Sequence, residues 1–183
     1  MIRLFIGLDL PQDIKEQVYS LRGGLQGALW RPMEKINLNL RFIGNVEEHV
    51  ACEIEKELSY IRFPAFEISL KEIGYFDTGG IPRHLWVGVD GAEKLKELQE
   101  KIVVSMKRLG LENTDKFKFK PHVTIAKLQG TNVPEMFNYI AQNNLFHTRS
   151  FTVDSFALFS SHARENGEGK YHRIEREYPL TKA

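Results

Sequence analysis

Two pairs of strand candidates in this chain follow one another with only a turn between them. Residues 66–76 and 85–89 flank Thr78-Gly79-Gly80, and residues 150–159 and 171–178 flank Asn166-Gly167-Glu168-Gly169. Neither gap leaves room for the helical crossover that parallel neighbours require, so both pairs read as antiparallel. Further strand candidates lie at residues 4–8, 36–43 and 117–127. Helical spacing appears in between. Pro11 opens a segment with Ile14, Val18 and Leu21, closed by Gly23-Gly24. Asn45 and Glu48 resemble a capping box ahead of Val46, Val50, Ile54 and Leu58, as do Asp90 and Glu93 ahead of Leu95, Leu98, Ile102 and Met106, with Gly110 as the stop. Thr131 starts a fourth helix that turns Val133, Met136 and Ile140 inward. This mixture excludes a doubly wound parallel sheet and predicts an α+β fold with largely antiparallel sheets.

Nothing in the 183 residues suggests a linker or a strong internal repeat, so residues 1–183 read as one domain able to bury its own core. No apolar run approaches the roughly 20 residues of a membrane span, and the apolar N-terminus carries Asp9 and lacks a cleavage signal, so it reads as a strand. The one cysteine, Cys52, can form no internal disulfide, which suits the cytoplasm. Twenty-five basic against 24 acidic residues leave a net charge of +1, which excludes a protein that coats nucleic acid by bulk charge. Contact with nucleic acid must be local, and Lys116, Lys118, Lys120 and Lys127 are the one concentration of charge.

That concentration surrounds Phe119-Lys120-Pro121-His122-Val123-Thr124-Ile125-Ala126-Lys127. Alternation puts Lys118, Lys120, His122, Thr124 and Ala126 on one face of the strand. His122 and Thr124 then project side by side about 7 Å apart, close enough to touch one phosphate group. An imidazole titrating near neutrality moves protons, while Thr and Lys hold developing phosphorane charge. Taken alone, His-x-Thr has little specificity and reads more readily as a half-buried histidine bonded to a neighbour. The remaining histidines, His49, His84, His147, His162 and His172, show no metal-ligand spacing, and no metal or other cofactor is expected. His84 opens the 85–89 strand and could reach a cleft as a substitute acid. Ser160-Ser161 before His162 lacks a strand-turn-helix elbow and reads as surface.

The 119–127 segment resembles the second signature of the two-histidine phosphoesterase superfamily, in its branch of RNA 2′,3′-cyclic phosphodiesterases, also called 2′-5′ RNA ligases. That signature is Pro-His-hydrophobic-Thr-hydrophobic, usually followed by Ala-Arg, and Lys127 stands here for the arginine. The likeness extends to residues 3–11, Trp30-Arg31-Pro32, residues 85–89 and the closing strand pair. It implies two pseudo-symmetric lobes with helices outside and a central cleft lined by one His-x-Thr strand from each lobe. The first signature falls at Ile36-Asn37-Leu38-Asn39-Leu40-Arg41-Phe42-Ile43-Gly44, where Asn37 replaces the expected histidine and Asn39 the threonine. Alternation places Asn37, Asn39 and Arg41 together on the cleft wall.

By this resemblance His122 activates the attacking water, Thr124, Lys127 and Lys120 contact phosphate or substrate, and Arg41 supports them. Asparagine donates hydrogen bonds but delivers no proton near neutral pH, and loss of a general acid costs about 10²- to 10⁴-fold in rate. Two readings therefore stand. One is a monomeric cytoplasmic phosphodiesterase, of reduced rate, acting on 2′,3′-cyclic phosphate RNA ends or nucleotides, with 2′-5′ RNA ligation as a further expected capability. The other is an inactive relative that binds such ends.

Overall fold

The computed structural model describes residues 1–113, 115 and 117–182. Lys116, one of the four clustered lysines, lies outside the described residues. In chain order the elements are β1 (Ile2–Asp9), α1 (Gln12–Tyr19), β2 (Ala28–Trp30), a 3₁₀ turn (Met33–Lys35), β3 (Asn37–Val46), α2 (Glu48–Leu58), β4 (Phe66–Thr78), β5 (Ile81–Asp90) and α3 (Glu93–Arg108). The chain then continues through β6 (His122–Leu128), α4 (Val133–Gln142), β7 (Phe151–Val153), β8 (Ser155–Ala163) and β9 (Lys170–Pro179). Two antiparallel sheets result, one ordered β3-β1-β8-β9 and the other β2-β6-β5-β4-β7. The expected α+β architecture with two lobes is present.

Each sheet is covered by helices on one face. Gln99 of α3 donates to the Leu40 carbonyl of β3, and Tyr178 of β9 donates to the Glu55 carbonyl of α2, so these two helices serve the first sheet. Tyr139 of α4 packs its ring 5.6 Å from Trp30 of β2, and its hydroxyl donates to the Leu21 carbonyl after α1. That pair of helices serves the second sheet. A continuous cluster of buried residues joins Leu4, Ile6 and Leu38 of the first sheet to Leu85, Val87 and Val123 of the second. The strands β3 and β6 lie against one another, which brings the two signature segments together.

Helix starts differ from expectation because the strands run on further. Asn45 belongs to β3 and Asp90 to β5, so neither caps a helix; Glu47 and Ala92 hold those positions without side-chain caps. At α4 the cap is Asn132, which accepts from the Glu135 backbone N–H at 3.1 Å, and not Thr131. Val133 of α4 is exposed where an inward position was expected. The helix α1 ends at Tyr19, ahead of Gly23-Gly24. The 117–127 candidate becomes a strand only from His122, and the 150–159 candidate divides at Asp154 into β7 and β8.

The first sheet is strongly curled. His172 pairs with Ser161, which pairs with Arg3, whereas Asn37 pairs with Asp9. Flat, these positions on opposite edge strands would sit about 14 Å apart across the sheet and about 20 Å apart along it. Instead Asn37 Nδ2 lies 3.3 Å from His172 Nδ1. Strand twist supplies the sense of the curl, and extra residues in β3 and β9 sharpen it.

Candidate active site

Bulges decide which side chains enter the cleft. In β6, Leu85 pairs with Ala126 but Trp86 pairs with Thr124, leaving Ile125 as an extra residue whose carbonyl accepts from the Arg31 backbone N–H at 2.8 Å. The period shifts there. Val123 and Ala126 are fully buried, and Lys127, opposite His84, joins His122 and Thr124 on the cleft face. Strict alternation would have turned Lys127 away and Ala126 inward to the cleft.

The bulge in β3 has the reverse effect. Ile6 pairs with Arg41 and Gly7 with Asn39, so Leu40 is extra, and Leu40 and Arg41 are both buried. Asn37 and Asn39 face the cleft, but Arg41 does not join them. Arg41 is buried, and its guanidinium donates to Asn113 Oδ1 at 2.7 Å and to the carbonyls of Glu112 and Leu111 at 2.8 and 3.2 Å. The expected role of Arg41 as a phosphate support is therefore replaced by a clamp on the segment leading from α3 to His122.

His122 is held closely. Its Nδ1 is 2.6 Å from the Lys120 carbonyl, Phe76 meets it edge-on at 4.8 Å, and Trp86 lies at 6.2 Å. A carbonyl only accepts, so Nδ1 carries the proton and Nε2 keeps its lone pair. Burial is the largest influence and lowers the pKa of the ring, with the Lys120 carbonyl opposing and the Lys120 charge adding to the effect. Lys120 places its ammonium 4.5 Å over the Trp86 ring. Trp86 itself fits because Gly74 lies beneath it, where a Cβ would fall inside the indole.

Across the cleft the floor of the first sheet is apolar. Phe5 and Phe159 stack at 4.8 Å, and His172 meets Phe5 edge-on at 4.8 Å. Burial pushes the His172 pKa down to about 4, with Lys35 and Arg31 reinforcing and Glu34 opposing. Arg31 also depresses His84, after burial and ahead of Lys127, His122 and Arg83. Its side chain makes no hydrogen bond or ion pair among the described residues, and burial lowers its own pKa. Glu34, the one nearby acid acting on His172, is bound to Arg164 at 2.8 Å. The cleft is thus cationic although the chain as a whole is almost neutral.

Arg31 and His172 were not singled out as site residues from the sequence. Arg31 follows β2, a three-residue strand too short to read from periodicity, and His172 depends on the curl of the sheet. Away from the cleft, Ser160 bonds to His162 at 2.6 Å and to Glu175, but Ser160 is fully buried on the helix-covered face, in register with Leu4. Such a hydroxyl ties β8 to β9 and meets no substrate. No group of three or more metal-ligating side chains occurs among the described residues, and no described helix is long and apolar enough to cross a membrane.

The depressed histidines make stability depend on pH. An unfolded imidazole takes its proton near its ordinary value of 6.5, whereas folded His172 waits until about 4. Stability from this group is complete above pH ~6.5 and is lost as the pH falls from there toward about 4. Thermal unfolding at pH 7.5 and pH 5 should show a lower midpoint at pH 5, and a smaller difference for His172→Gln. An equal difference in both proteins would contradict the assignment.

A profile of the 2′-5′ RNA ligase superfamily matches residues 36–165. A Thermotoga maritima protein named RNA 2′,3′-cyclic phosphodiesterase is 30% identical over 166 residues, 87% of each chain. An Archaeoglobus fulgidus protein of the same name is 32% identical over 163 residues, 87% of this chain and 91% of its own. Among solved structures, Escherichia coli LigT in complex with 3′-AMP superposes with a TM-score of 0.79 at 23% identity, over 99% of both chains. Both signature segments lie within the matched span, His122 and Thr124 in place and Asn37 and Asn39 altered, and the chain belongs to the 2′-5′ RNA ligase superfamily.

Proposed function

We propose that the cleft hydrolyses 2′,3′-cyclic phosphate at RNA ends or on nucleotides, in the cytoplasm. The observation that carries this reading is His122, whose Nδ1 is fixed on the Lys120 carbonyl and whose Nε2 is left as a base. Thr124 and Lys127 stand on the same face to hold the phosphate, and Arg31 adds a guanidinium suited to its oxygens. Lys120, over Trp86, borders the site as a second cation for the nucleic-acid backbone. The shared name of the relatives supports the same reaction.

Incubating the protein with adenosine 2′,3′-cyclic phosphate and following phosphorus NMR should show conversion to a phosphomonoester. Binding of adenosine 2′-phosphate with no conversion of the cyclic compound would instead favour a binding protein built on the same fold.

A further inference from the structure

Opening a cyclic phosphodiester needs a base for the incoming water and an acid for the departing ribose oxygen. The first signature strand supplies neither, since Asn37 carries no titratable group. An imidazole nevertheless stands at that place, contributed by the far edge of the same sheet. We propose that His172 of β9 is the general acid of this cleft, oriented by Asn37, and that the site is a two-histidine site whose halves come from β6 and β9. This rests on the phosphodiesterase reading above.

Three observations carry it. First, the Asn37 amide nitrogen lies 3.3 Å from His172 Nδ1, so a side chain of the signature strand holds the ring. Second, the two imidazoles have complementary protonation. His122 donates from Nδ1 and presents a bare Nε2, while His172 accepts at Nδ1 from the Asn37 amide and carries its proton on Nε2. Third, β3, whose Asn37 holds the His172 ring, lies against β6, the strand that carries His122. Of the other candidates, His84 sits on the same sheet as His122, opposite Lys127, and contacts nothing from the first lobe among the bonds formed by the described residues.

The groups around His172 also explain how it is charged. It faces Asn37 of β3, Phe5 of β1, and Arg31, Glu34 and Lys35 from the segment before β3. Burial first, and then Lys35 and Arg31, keep the free ring neutral; a bound phosphodiester brings a negative charge that offsets the two cations and favours the protonated ring. Rotation of the Asn37 amide then offers Oδ1 to a protonated Nδ1, so one neighbour serves both states. In the step itself the water oxygen bonds to phosphorus and its proton passes to His122 Nε2. The bond from phosphorus to one ribose oxygen breaks, and that oxygen takes the Nε2 proton of His172. His122 ends as imidazolium and His172 as imidazole, and exchange with solvent resets both.

The test uses the intact protein with adenosine 2′,3′-cyclic phosphate as substrate and adenosine 2′-phosphate as a binding probe. For His172→Ala and His172→Gln, kcat should fall about 10²- to 10⁴-fold, while the Kd of the probe stays within roughly threefold, which reports an intact cleft. Restoring an imidazole in the Asn37→His/His172→Ala double variant should raise kcat at least about tenfold over His172→Ala. A kcat within threefold of the parent in both single variants overturns the inference and leaves the phosphodiesterase reading standing. So does a loss of kcat matched by loss of probe binding with no recovery in the double variant. A parent protein that does not convert the substrate overturns both.

Discussion

Replacing His122 by Ala should lower kcat for a 2′,3′-cyclic nucleotide by about 10²- to 10⁴-fold, the range for loss of a positioned proton-transfer group. The mechanism assigns this residue the water proton, and its neighbours on the same strand face are poor bases: Thr124 is a hydroxyl and Lys127 a cation. His122→Gln should lose as much while keeping more of the contact with Phe76 and Trp86, which separates chemistry from packing. Base and acid act in one event, so removing His122 and His172 together should cost little more than the worse single change. Steady-state kinetics of the two single variants and the double variant measure this directly. A His122→Ala protein that keeps its kcat would remove the central assignment.

Replacing Arg41 by Met should destabilise the fold by about 3 kcal/mol, because three acceptors lose a charged donor in a buried position. For a chain of this size the unfolding midpoint should drop by roughly 6 to 12 °C. Arg41→Lys should fall in the same direction, since one ammonium cannot reproduce the planar fork that spans Asn113, Glu112 and Leu111. Both are read by thermal or denaturant unfolding. If Arg41 instead served phosphate, the loss would appear in substrate binding with stability unchanged, so the two roles are distinguished by which quantity moves.

Much of the architecture is legible in local pattern. The turns at Thr78-Gly79-Gly80 and Asn166-Gly167-Glu168-Gly169 announce antiparallel pairs, and β4 with β5 and β8 with β9 are those pairs. The buried faces at Ile14 and Val18, at Ile54 and Leu58, and at Leu95, Leu98, Ile102 and Met106 follow helical spacing because each helix has one neighbour to cover. The site was legible only where the strand is regular. Alternation places His122 with Thr124 and Asn37 with Asn39, and fails one or two residues later at a bulge, losing Arg41 and gaining Lys127. A bulge leaves no mark in composition, since an extra Leu40 or Ile125 is as apolar as its neighbours. Contacts between distant strands are further out of reach: 135 positions separate Asn37 from His172.

The curl of the first sheet bears on how such a site can change over generations. Two side chains from opposite edge strands occupy one small volume, so a functional group can be relocated from one to the other without either backbone moving. An imidazole on the last strand can therefore stand where one on the signature strand would, whatever side chain the signature strand carries beside it. Members of the superfamily with a broken first motif should accordingly be sorted by what occupies the space beside it, and not by the letter found at the expected place in the chain.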